Sequence, residues 1–404
     1  MPDVSRDEAA VLDAAAAAPM LAQVEAWAAV NSGSRNLDGL ARMAGLLADA
    51  FAVLPGEVRL VEPAAVEEMA ADGSLSAVAH GRNLHLKVRP EAPVQVLLTG
   101  HMDTVYGADH PFQALDWLDE GTLRGPGVAD MKGGLTVMLA ALGAVETWSE
   151  RGRIGYEIVI NSDEEVGSPG SAALIAAAAR GKRAALTYEP AALPDGTLAG
   201  ARPGSGNFSL RVAGRSAHAG RNPEEGRNAL VAAAELAVRL DAFGRRSGLR
   251  INPARIDGGG PNNVVPDHAI LRMNMRPATA DEQAQAQAAL EEAVAAVAAA
   301  RDVCINMHGG FGRPPKPIDA GAEKLFELVR TCGAALGQEI GWRDSGGVCD
   351  GNNIAAGGTP VVDTMGVRGG AIHSPDEYLI VASLAERARL SALVLMRLAA
   401  GEGS

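Results

Sequence analysis

The sequence predicts an α/β fold into which a smaller α+β domain is inserted. Three observations lead to this prediction. Apolar, β-rich runs alternate with helical segments before residue 200. Clusters rich in glycine and proline lie at 202–206 and 313–317, and a new series of strands and helices lies between them. We therefore expect a discontinuous first domain over residues 1–200 and 316–404, and an inserted domain over residues 201–315.

In the first domain, strands are expected at 94–98, 156–160 and 184–188, with helices at 133–148 and 171–180. Strands that are separated by helices favour a largely parallel sheet. Such a sheet binds ligands beyond the carboxyl ends of its strands. After the insert, the pattern predicts helices at 323–336 and 384–400 and a short buried strand at 360–363.

The insert has its own alternation of strands and helices. Strands are expected at 207–212, 269–275 and 303–307, and helices at 228–240 and 281–301. This order predicts a small α+β unit with an antiparallel sheet.

The composition excludes several classes of protein. The 404 residues include 36 Lys and Arg against 49 Asp and Glu, so the net charge is −13, which argues against a nucleic-acid or anionic-membrane partner. We expect no transmembrane helix, because no run of about 18 apolar residues lacks charge. The acidic N-terminus is unlike a secretory signal, and the three widely spaced cysteines, Cys304, Cys332 and Cys349, form neither a disulfide framework nor a metal motif. A cytoplasmic protein is therefore expected.

Residues that can bind metals follow the predicted strands. His101 and Asp103 come at the end of the first strand and face the same way on an extended backbone. A carboxylate in that position commonly orients a metal-bound imidazole, although a surface turn is the alternative. Asp130 lies among glycines at the entry to a helix, where an ordinary helix cap is also consistent with the pattern.

Further carboxylates follow the next two strands. Glu164 and Glu165 are adjacent, so their carboxylates repel each other unless a cation or a proton compensates. The alternative is that the two residues form an exposed acidic turn. Glu189 ends a strand, and His373 lies in a glycine-containing loop far along the chain. Two imidazoles and three carboxylates suit two divalent ions, zinc above all, and the lack of thiolates argues against a closed structural zinc site.

Several segments in order resemble the zinc aminoacylase/carboxypeptidase family of cocatalytic metallohydrolases, and the bacterial glutamate carboxypeptidases in particular. The segments are 100–105, 125–134, 163–167, the Glu189 strand end, 214–220, 263–266 with Arg276, and 373–377. The resemblance implies a phosphorylase/hydrolase-like mixed sheet flanked by helices, which is the zinc exopeptidase catalytic domain. It also implies that the insert is a ferredoxin-like lid and dimerisation domain.

The resemblance further implies a dizinc centre, with cobalt or manganese as alternatives to zinc. Asp130 would bridge the two metals, Glu164 would be the general base, and Asp103 would orient a histidine ligand. The remaining ligands would be His101 and Glu189 at one metal and Glu165 and His373 at the other.

The resemblance assigns the substrate contacts to other residues. His218 would stabilise the tetrahedral oxygen from the inserted domain of a partner subunit, so a homodimer is expected. Asn263 and Arg276 would bind the substrate carboxylate. Arg368, close to His373 in the sequence, is a further candidate for the pocket.

The expected activity is hydrolysis of the amide bond of an N-acyl or peptidyl amino acid with a free carboxylate. A glutamate at position 189 is typical of the carboxypeptidases and acylases in this family. Residues 348–352 differ from the glycine-threonine-aspartate run of the glutamate carboxypeptidases, so the substrate stays open. One alternative is a deacylase of acetylornithine or succinyl-diaminopimelate type, and another is a non-catalytic metal-binding scaffold.

Overall fold

The computed structural model describes residues 4–403, which form two compact units. Unit 1 contains residues up to 64, residues 79–201 and the residues from 318 onward. Unit 2 contains residues 202–317 together with the separate segment 65–78. The sequence pattern gave no sign of this last segment and assigned it to the first domain.

The described residues contain ten α-helices and eighteen β-strands. The helices are α1 (Arg6–Ala16), α2 (Met20–Ala28), α3 (Leu37–Phe51), α4 (Gly133–Val145), α5 (Ala172–Ala179), α6 (Ala229–Ser247), α7 (Ala280–Arg301), α8 (Ala320–Ala335), α9 (Asp350–Ala356) and α10 (Ala382–Ala399). The strands are β1 (Arg59–Val61), β2 (Val66–Met69), β3 (Leu75–Val78), β4 (Asn83–Val88), β5 (Val94–His101), β6 (Asp116–Asp119), β7 (Thr122–Arg124), β8 (Ile154–Asn161), β9 (Ala184–Thr187), β10 (Leu198–Ala199), β11 (Ser205–Ala213), β12 (Arg250–Gly258), β13 (His268–Arg276), β14 (Cys304–Arg313), β15 (Trp342–Arg343), β16 (Val361–Val362), β17 (Gly369–Gly370) and β18 (Tyr378–Ile380).

Unit 1 is built on a six-stranded sheet in the order β1-β4-β8-β5-β9-β16. Strands β8, β5, β9 and β16 run parallel, as the alternation of strands and helices predicts. Strands β1 and β4 are antiparallel at one edge, so the sheet is mixed. The sequence did not predict these two edge strands.

Helices cover both faces of this sheet because its central strands are apolar on both sides. In β5, Val96 and Leu98 belong to the large core that contains residues of α4 and α10. Between them, Leu97 points the other way and packs with Ile175 of α5 and Ile354 of α9. The layered α/β class predicted from the sequence is therefore confirmed.

Two segments are long and apolar enough to span a membrane by length and composition alone, namely Arg6–Ala28 and Val128–Val145. The second is 94% buried, and it includes the central helix α4 of unit 1. The first consists of two helices, α1 and α2, and both contact α4. Packing in the core accounts for the apolar composition of the second segment, whereas the first is 28% buried. The absence of a membrane partner stays a prediction.

Unit 2 has a four-stranded antiparallel sheet in the order β12-β13-β11-β14. Residues that alternate along β11 and β13, such as Phe208, Leu210 and Leu271, form one core with apolar residues of α6 and α7. The sequence missed the edge strand β12, since Pro253 interrupts its pattern and proline is tolerated only where a strand has a free edge.

The other face of this sheet contacts the hairpin β2-β3 at one end. Arg272 donates a hydrogen bond from Nη2 to the carbonyl oxygen of Met69 at 2.9 Å. The Nε2 atom of His268 lies 3.2 Å from the carbonyl oxygen of Ala71. These contacts make residues 65–78 part of unit 2.

Candidate metal centre

Three neighbouring parallel strands end at the candidate site in unit 1. His101 is the last residue of β5, Glu164 follows the end of β8 by three residues, and Glu189 follows the end of β9 by two. Because β8, β5 and β9 are adjacent and parallel, their carboxyl ends lie at one edge of the sheet. This is the edge where open α/β sheets bind ligands.

Asp130 lies in an irregular turn that leads into α4. One carboxylate oxygen of Glu377, Oε1, accepts hydrogen bonds from the backbone N–H groups of Ala129 and Asp130, each at 3.0 Å. The other, Oε2, accepts one from the N–H of Gly127 at 3.2 Å. A single buried carboxylate therefore holds the backbone that presents Asp130.

The two oxygens of Asp130 face different histidines. Its Oδ1 atom lies 3.1 Å from Nε2 of His101, and its Oδ2 atom lies 3.2 Å from Nε2 of His373. Each imidazole also has a second carboxylate: His101 Nε2 lies 3.7 Å from Glu189 Oε2, and His373 Nε2 lies 3.2 Å from Glu165 Oε2. The structure thus brings the five predicted ligands together as two half-sites that share Asp130.

Asp103 fixes both the histidine and the acidic loop. The backbone carbonyl oxygen of Asp103 lies 2.9 Å from Nδ1 of His101. Its carboxylate accepts the backbone N–H groups of Glu164 and Glu165 at 3.1 and 3.2 Å, and the hydroxyl of Ser34 at 2.7 Å. All of these groups lie in unit 1, and Asp103 is fully buried.

The charges of the cluster act strongly on one another. The pKa of His373 rises to about 11, because its imidazole contacts Asp130 and Glu165. Burial favours the neutral form of His101, but the carboxylates around it, Glu189 foremost, outweigh burial and raise its pKa well above the usual value. Burial and the charge of Asp130 raise the pKa of Glu165 to about 8. Cations are thus stabilised here and an additional anion is destabilised.

This donor set fits divalent cations. In two groups, His101 with Asp130 and Glu165, and His101 with Glu164 and Glu189, the ligand atoms lie within 4.8 Å of one another. Imidazole nitrogens and carboxylate oxygens without thiolates suit zinc, cobalt or manganese. The surplus of negative charge in a buried place is what a bound cation would compensate.

The other predicted site residues lie elsewhere. Unit 2 contains His218, Asn263 and Arg276, and the first two are neighbours: the N–H of Ala219 donates to the carbonyl oxygen of Asn263 at 2.9 Å. In unit 1, the guanidinium of Arg368 donates to Glu386 at 2.9 Å and to the carbonyl oxygen of Pro194 at 2.8 Å. The substrate-binding roles of these residues stay predictions.

Two supporting residues of the site were not assigned from the sequence. Ser34 lies far from every motif, so its bond to Asp103 gives no sequence signal. Glu377 lies in the 373–377 segment, but it is far in the sequence from the nearest predicted strand, so no role could be assigned to it. Tyr106 donates a hydrogen bond from its hydroxyl to Glu377 at 3.0 Å, and this burial and contact raise the pKa of Tyr106.

The fold and the site define a metal-dependent hydrolase built on a mixed α/β sheet. A model of the peptidase family M20/M25/M40 matches residues 97–397, and the chain belongs to this family. It is a metallopeptidase or amidohydrolase of the class that acts on acylated or peptidyl amino acids. The family resemblance found in the sequence is confirmed.

Similar proteins include several hydrolases. The chain is 30% identical to carboxypeptidase G2 from Pseudomonas sp. (strain RS-16) over 328 residues, which are 80% of this chain and 78% of that protein. It is 26% identical to succinyl-diaminopimelate desuccinylase 2 from Shewanella loihica, over 76% of this chain and 86% of that one. A dinuclear metal-binding peptidase of the M20 family from Bacillus subtilis has the same fold, with a TM-score of 0.64, 13% identity, and coverage of 94% of this chain and 97% of that one.

Proposed function

We propose that the protein is a dizinc carboxypeptidase-like amidohydrolase. It hydrolyses the amide bond of an N-acyl or peptidyl amino acid and releases an amino acid with a free α-carboxylate. The observation that carries this proposal is the pair of half-sites around Asp130, whose two oxygens lie 3.1 and 3.2 Å from the imidazoles of His101 and His373. A carboxylate placed in this way suits a bridge between two cations.

The residues around Asp130 supply the rest of the chemistry. Divalent cations bound here would lower the pKa of a water molecule and polarise the scissile carbonyl group. Glu164, which is buried beside His101 and Glu189, takes a proton from the attacking water and delivers it to the departing amine. Asp103 holds the backbone of Glu164, so that this base keeps its position during the transfer.

Substrate recognition is assigned to the second unit. The guanidinium of Arg276, at the end of β13, binds the free carboxylate of the substrate through paired hydrogen bonds. Asn263 precedes the opposite end of β13 and neighbours His218, so it contacts the substrate together with His218. His218 stabilises negative charge on the tetrahedral oxygen. We propose that this histidine acts in a homodimer formed through unit 2. Sedimentation of the active enzyme as a monomer alone would contradict that assembly.

One observation favours a carboxypeptidase over a deacylase of biosynthetic intermediates. The chain has higher identity to carboxypeptidase G2 than to the desuccinylase, 30% against 26%. The glutamate at position 189 is shared by carboxypeptidases and acylases, so it argues against an aminopeptidase and does not separate these two functions.

A substrate panel tests the proposal. The purified chain is treated with chelator, reloaded with zinc, cobalt or manganese, and assayed on peptidyl-glutamates and N-acyl amino acids beside N-acetylornithine and N-succinyl-diaminopimelate. We expect hydrolysis of the first two classes. Preferred turnover of either biosynthetic intermediate would instead identify a deacylase.

The general base is tested by Glu164→Gln, with Glu91→Gln as a control that removes an exposed carboxylate far from the motifs. The first variant should lose about 10²–10⁴-fold in kcat while it keeps its bound metal. The control should match the wild type. Wild-type turnover by Glu164→Gln would rule out the assigned base.

A further inference from the structure

A pocket of about 450 Å³ opens in unit 2 at one end of its sheet. Its lining residues are Asn207, Arg250, Ile251, Asn252, Asn274 and Arg276. Asn207 precedes Phe208, which is buried against α6 and α7, so the asparagine points to the opposite face of the sheet. The pocket therefore contains two guanidinium groups and three amides, and none of the described residues that line it is a carboxylate.

The register of the strands places the polar side chains of the pocket on one face. Arg250 of β12 is directly opposite Arg276 of β13. In the next row on the same face, Asn274 is opposite Asn252 on one side and Asn207 on the other. Residues opposite each other, and residues two apart along a strand, share a face of the sheet. The two arginines are thus neighbours through the backbone geometry itself.

Arg276 is oriented before any ligand arrives. Its Nε atom donates to Oδ1 of Asn274 at 3.0 Å. The amide nitrogen of Asn274 in turn donates to Oδ1 of Asn207 at 2.8 Å, and to Ser205 Oγ and the carbonyl oxygen of Gly206 at 3.1 Å each. These bonds fix the plane of the guanidinium and leave the N–H donors of Nη1 and Nη2 for a ligand.

The positive charge of the pair has no protein counterion within residues 4–403. Neither Arg250 nor Arg276 forms an ion pair there. Arg272, four residues before Arg276 on the same strand and face, differs from this pair because it donates to Asp257 at 2.6 Å. Like charges directly opposite each other destabilise a sheet. In a chain with a net charge of −13, an uncompensated pair in a pocket is typical of an anion-binding site.

We propose that this pocket binds a ligand with two carboxylates, one for each arginine. The inference rests on the proposed function, in which Arg276 binds the α-carboxylate of the amino acid to be released. Arg250 then binds the side-chain carboxylate, and this makes Arg250 the residue that selects an acidic amino acid. Opposite residues of an antiparallel pair are about 4.5–5.5 Å apart at Cα. That spacing suits carboxylates joined by a short chain, as in glutamate.

Calorimetric titration of the full chain with L-glutamate and L-glutamine tests the pocket directly. The two probes have the same size and differ by one negative charge. We expect the wild type to bind glutamate at least ~10-fold more tightly, as one charge-assisted pair is lost with glutamine. In Arg250→Gln the two affinities should agree within about threefold, while Arg250→Lys should keep part of the preference. Thermal unfolding checks that the variants are folded.

The matched control is Arg246→Gln at the end of α6. This change removes the same charge from an exposed position outside the pocket. It should leave the preference for glutamate unchanged. An equal loss in both variants would mean that only the overall charge matters, and an unchanged preference in Arg250→Gln would mean that Arg250 makes no contact. Either result overturns the proposal.

Hydrolysis assays separate this inference from the proposed function. If no peptidyl or N-acyl amino acid is cleaved but Arg250→Gln still abolishes the preference for glutamate, the function is wrong and the pocket is right. If peptidyl-glutamate and peptidyl-glutamine are cleaved with the same KM ratio by the wild type and by Arg250→Gln, the function holds and the pocket assignment fails. The expected result is a KM for peptidyl-glutamate that rises at least ~10-fold in Arg250→Gln, with that for peptidyl-glutamine unchanged.

Discussion

The carboxylate of Asp103 accepts the backbone N–H of Glu164 through Oδ1 at 3.1 Å. Its other oxygen accepts the next N–H, that of Glu165, at 3.2 Å. Because Asp103 follows β5 and the two glutamates follow β8, this carboxylate joins the ends of two adjacent parallel strands. The position of the acidic loop therefore depends on a residue that the sequence predicted only as a partner of His101.

Asp103→Asn should lower activity because it weakens the hold of this side chain on the acidic loop. The amide keeps one oxygen but turns an N–H₂ group toward a backbone donor, so one of the two loop bonds is lost and Glu164 is less well held. We expect a loss of about 10–100-fold in kcat/KM or in zinc affinity, as is common for residues that support metal ligands. Steady-state kinetics and metal titration measure both quantities.

The control for this change is Asp109→Asn, which alters an exposed carboxylate of the following loop. It should behave like the wild type. An Asp103→Asn enzyme with full activity and full zinc affinity would mean that the backbone of the acidic loop is held by other groups.

The glycines of α4 differ in a testable way. A Cβ atom at Gly134 would lie 2.0 Å from the carbonyl oxygen of Tyr188, whereas a Cβ at Gly143 meets nothing within 4 Å. Gly134→Ala should therefore push α4 away from the backbone that precedes Glu189. We expect this variant to lose about 1–3 kcal/mol of unfolding free energy and to bind zinc more weakly.

Gly143→Ala is the matched control in the same helix. Alanine loses less conformational entropy than glycine in a helix interior, so this variant should be stabilised by about 0.5–1 kcal/mol. Urea denaturation compares the two variants. Equal stability of Gly134→Ala and Gly143→Ala would contradict the close approach of α4 to Tyr188.

Much of unit 1 could be predicted because its signals are local. The strands at β5, β8 and β9 are continuous apolar runs, and the residues that follow them carry the chemistry. Once the strands are known to be parallel and adjacent, their carboxyl ends must meet. His101, Glu164 and Glu189 could therefore be placed together from the sequence.

What could not be predicted depends on contacts between distant segments or on weak patterns. The strands of the hairpin in residues 65–78 show no regular alternation of polar and apolar residues and are mostly exposed, so the contacts of the hairpin with β13 and β14 are what assign it to unit 2. The pairing of Arg250 with Arg276 depends on the register of β12, and β12 could not be predicted because Pro253 interrupts its pattern. The support of Asp130 by Glu377 spans more than 240 residues of sequence.

A buried ionic cluster on β8 predicts a pH dependence of stability. Burial alone would raise the pKa of Glu157, but hydrogen bonds from His85, Lys182 and Lys87 outweigh it and lower this pKa to about 2. A carboxylate whose pKa is lower in the folded than in the unfolded chain stabilises the fold above its unfolded pKa of about 4.5. That contribution is lost as the pH falls from about 4.5 to about 2.

Glu157→Gln should thus be destabilised by about 2–3 kcal/mol at neutral pH. We expect a smaller loss than for a fully buried ion pair, because the side chain of Lys87 is half exposed. The difference from the wild type should shrink as the pH falls below about 4.5. Urea denaturation at a series of pH values measures this. A difference that stays constant between pH 7 and pH 3 would show that Glu157 has an ordinary pKa.

Removal of metal should destabilise unit 1. Without cations, the carboxylates of Asp130, Glu165 and Glu189 repel one another in a buried place, and binding to the folded state alone stabilises that state. Chelation should lower the Tm, and added zinc should raise it again, with the logarithm of the zinc concentration once the site is saturated. A Tm that is the same before and after chelation, in protein proved free of metal, would contradict a binding site at this cluster.

The most direct test is anomalous diffraction at the zinc edge from crystals of the zinc-loaded protein. We predict two peaks per chain on either side of Asp130, one beside His101 and Glu189 and the other beside Glu165 and His373. A fully loaded, active crystal with zinc bound away from Asp130, or with a single ion that does not contact it, would contradict the dinuclear centre on which the proposed function rests.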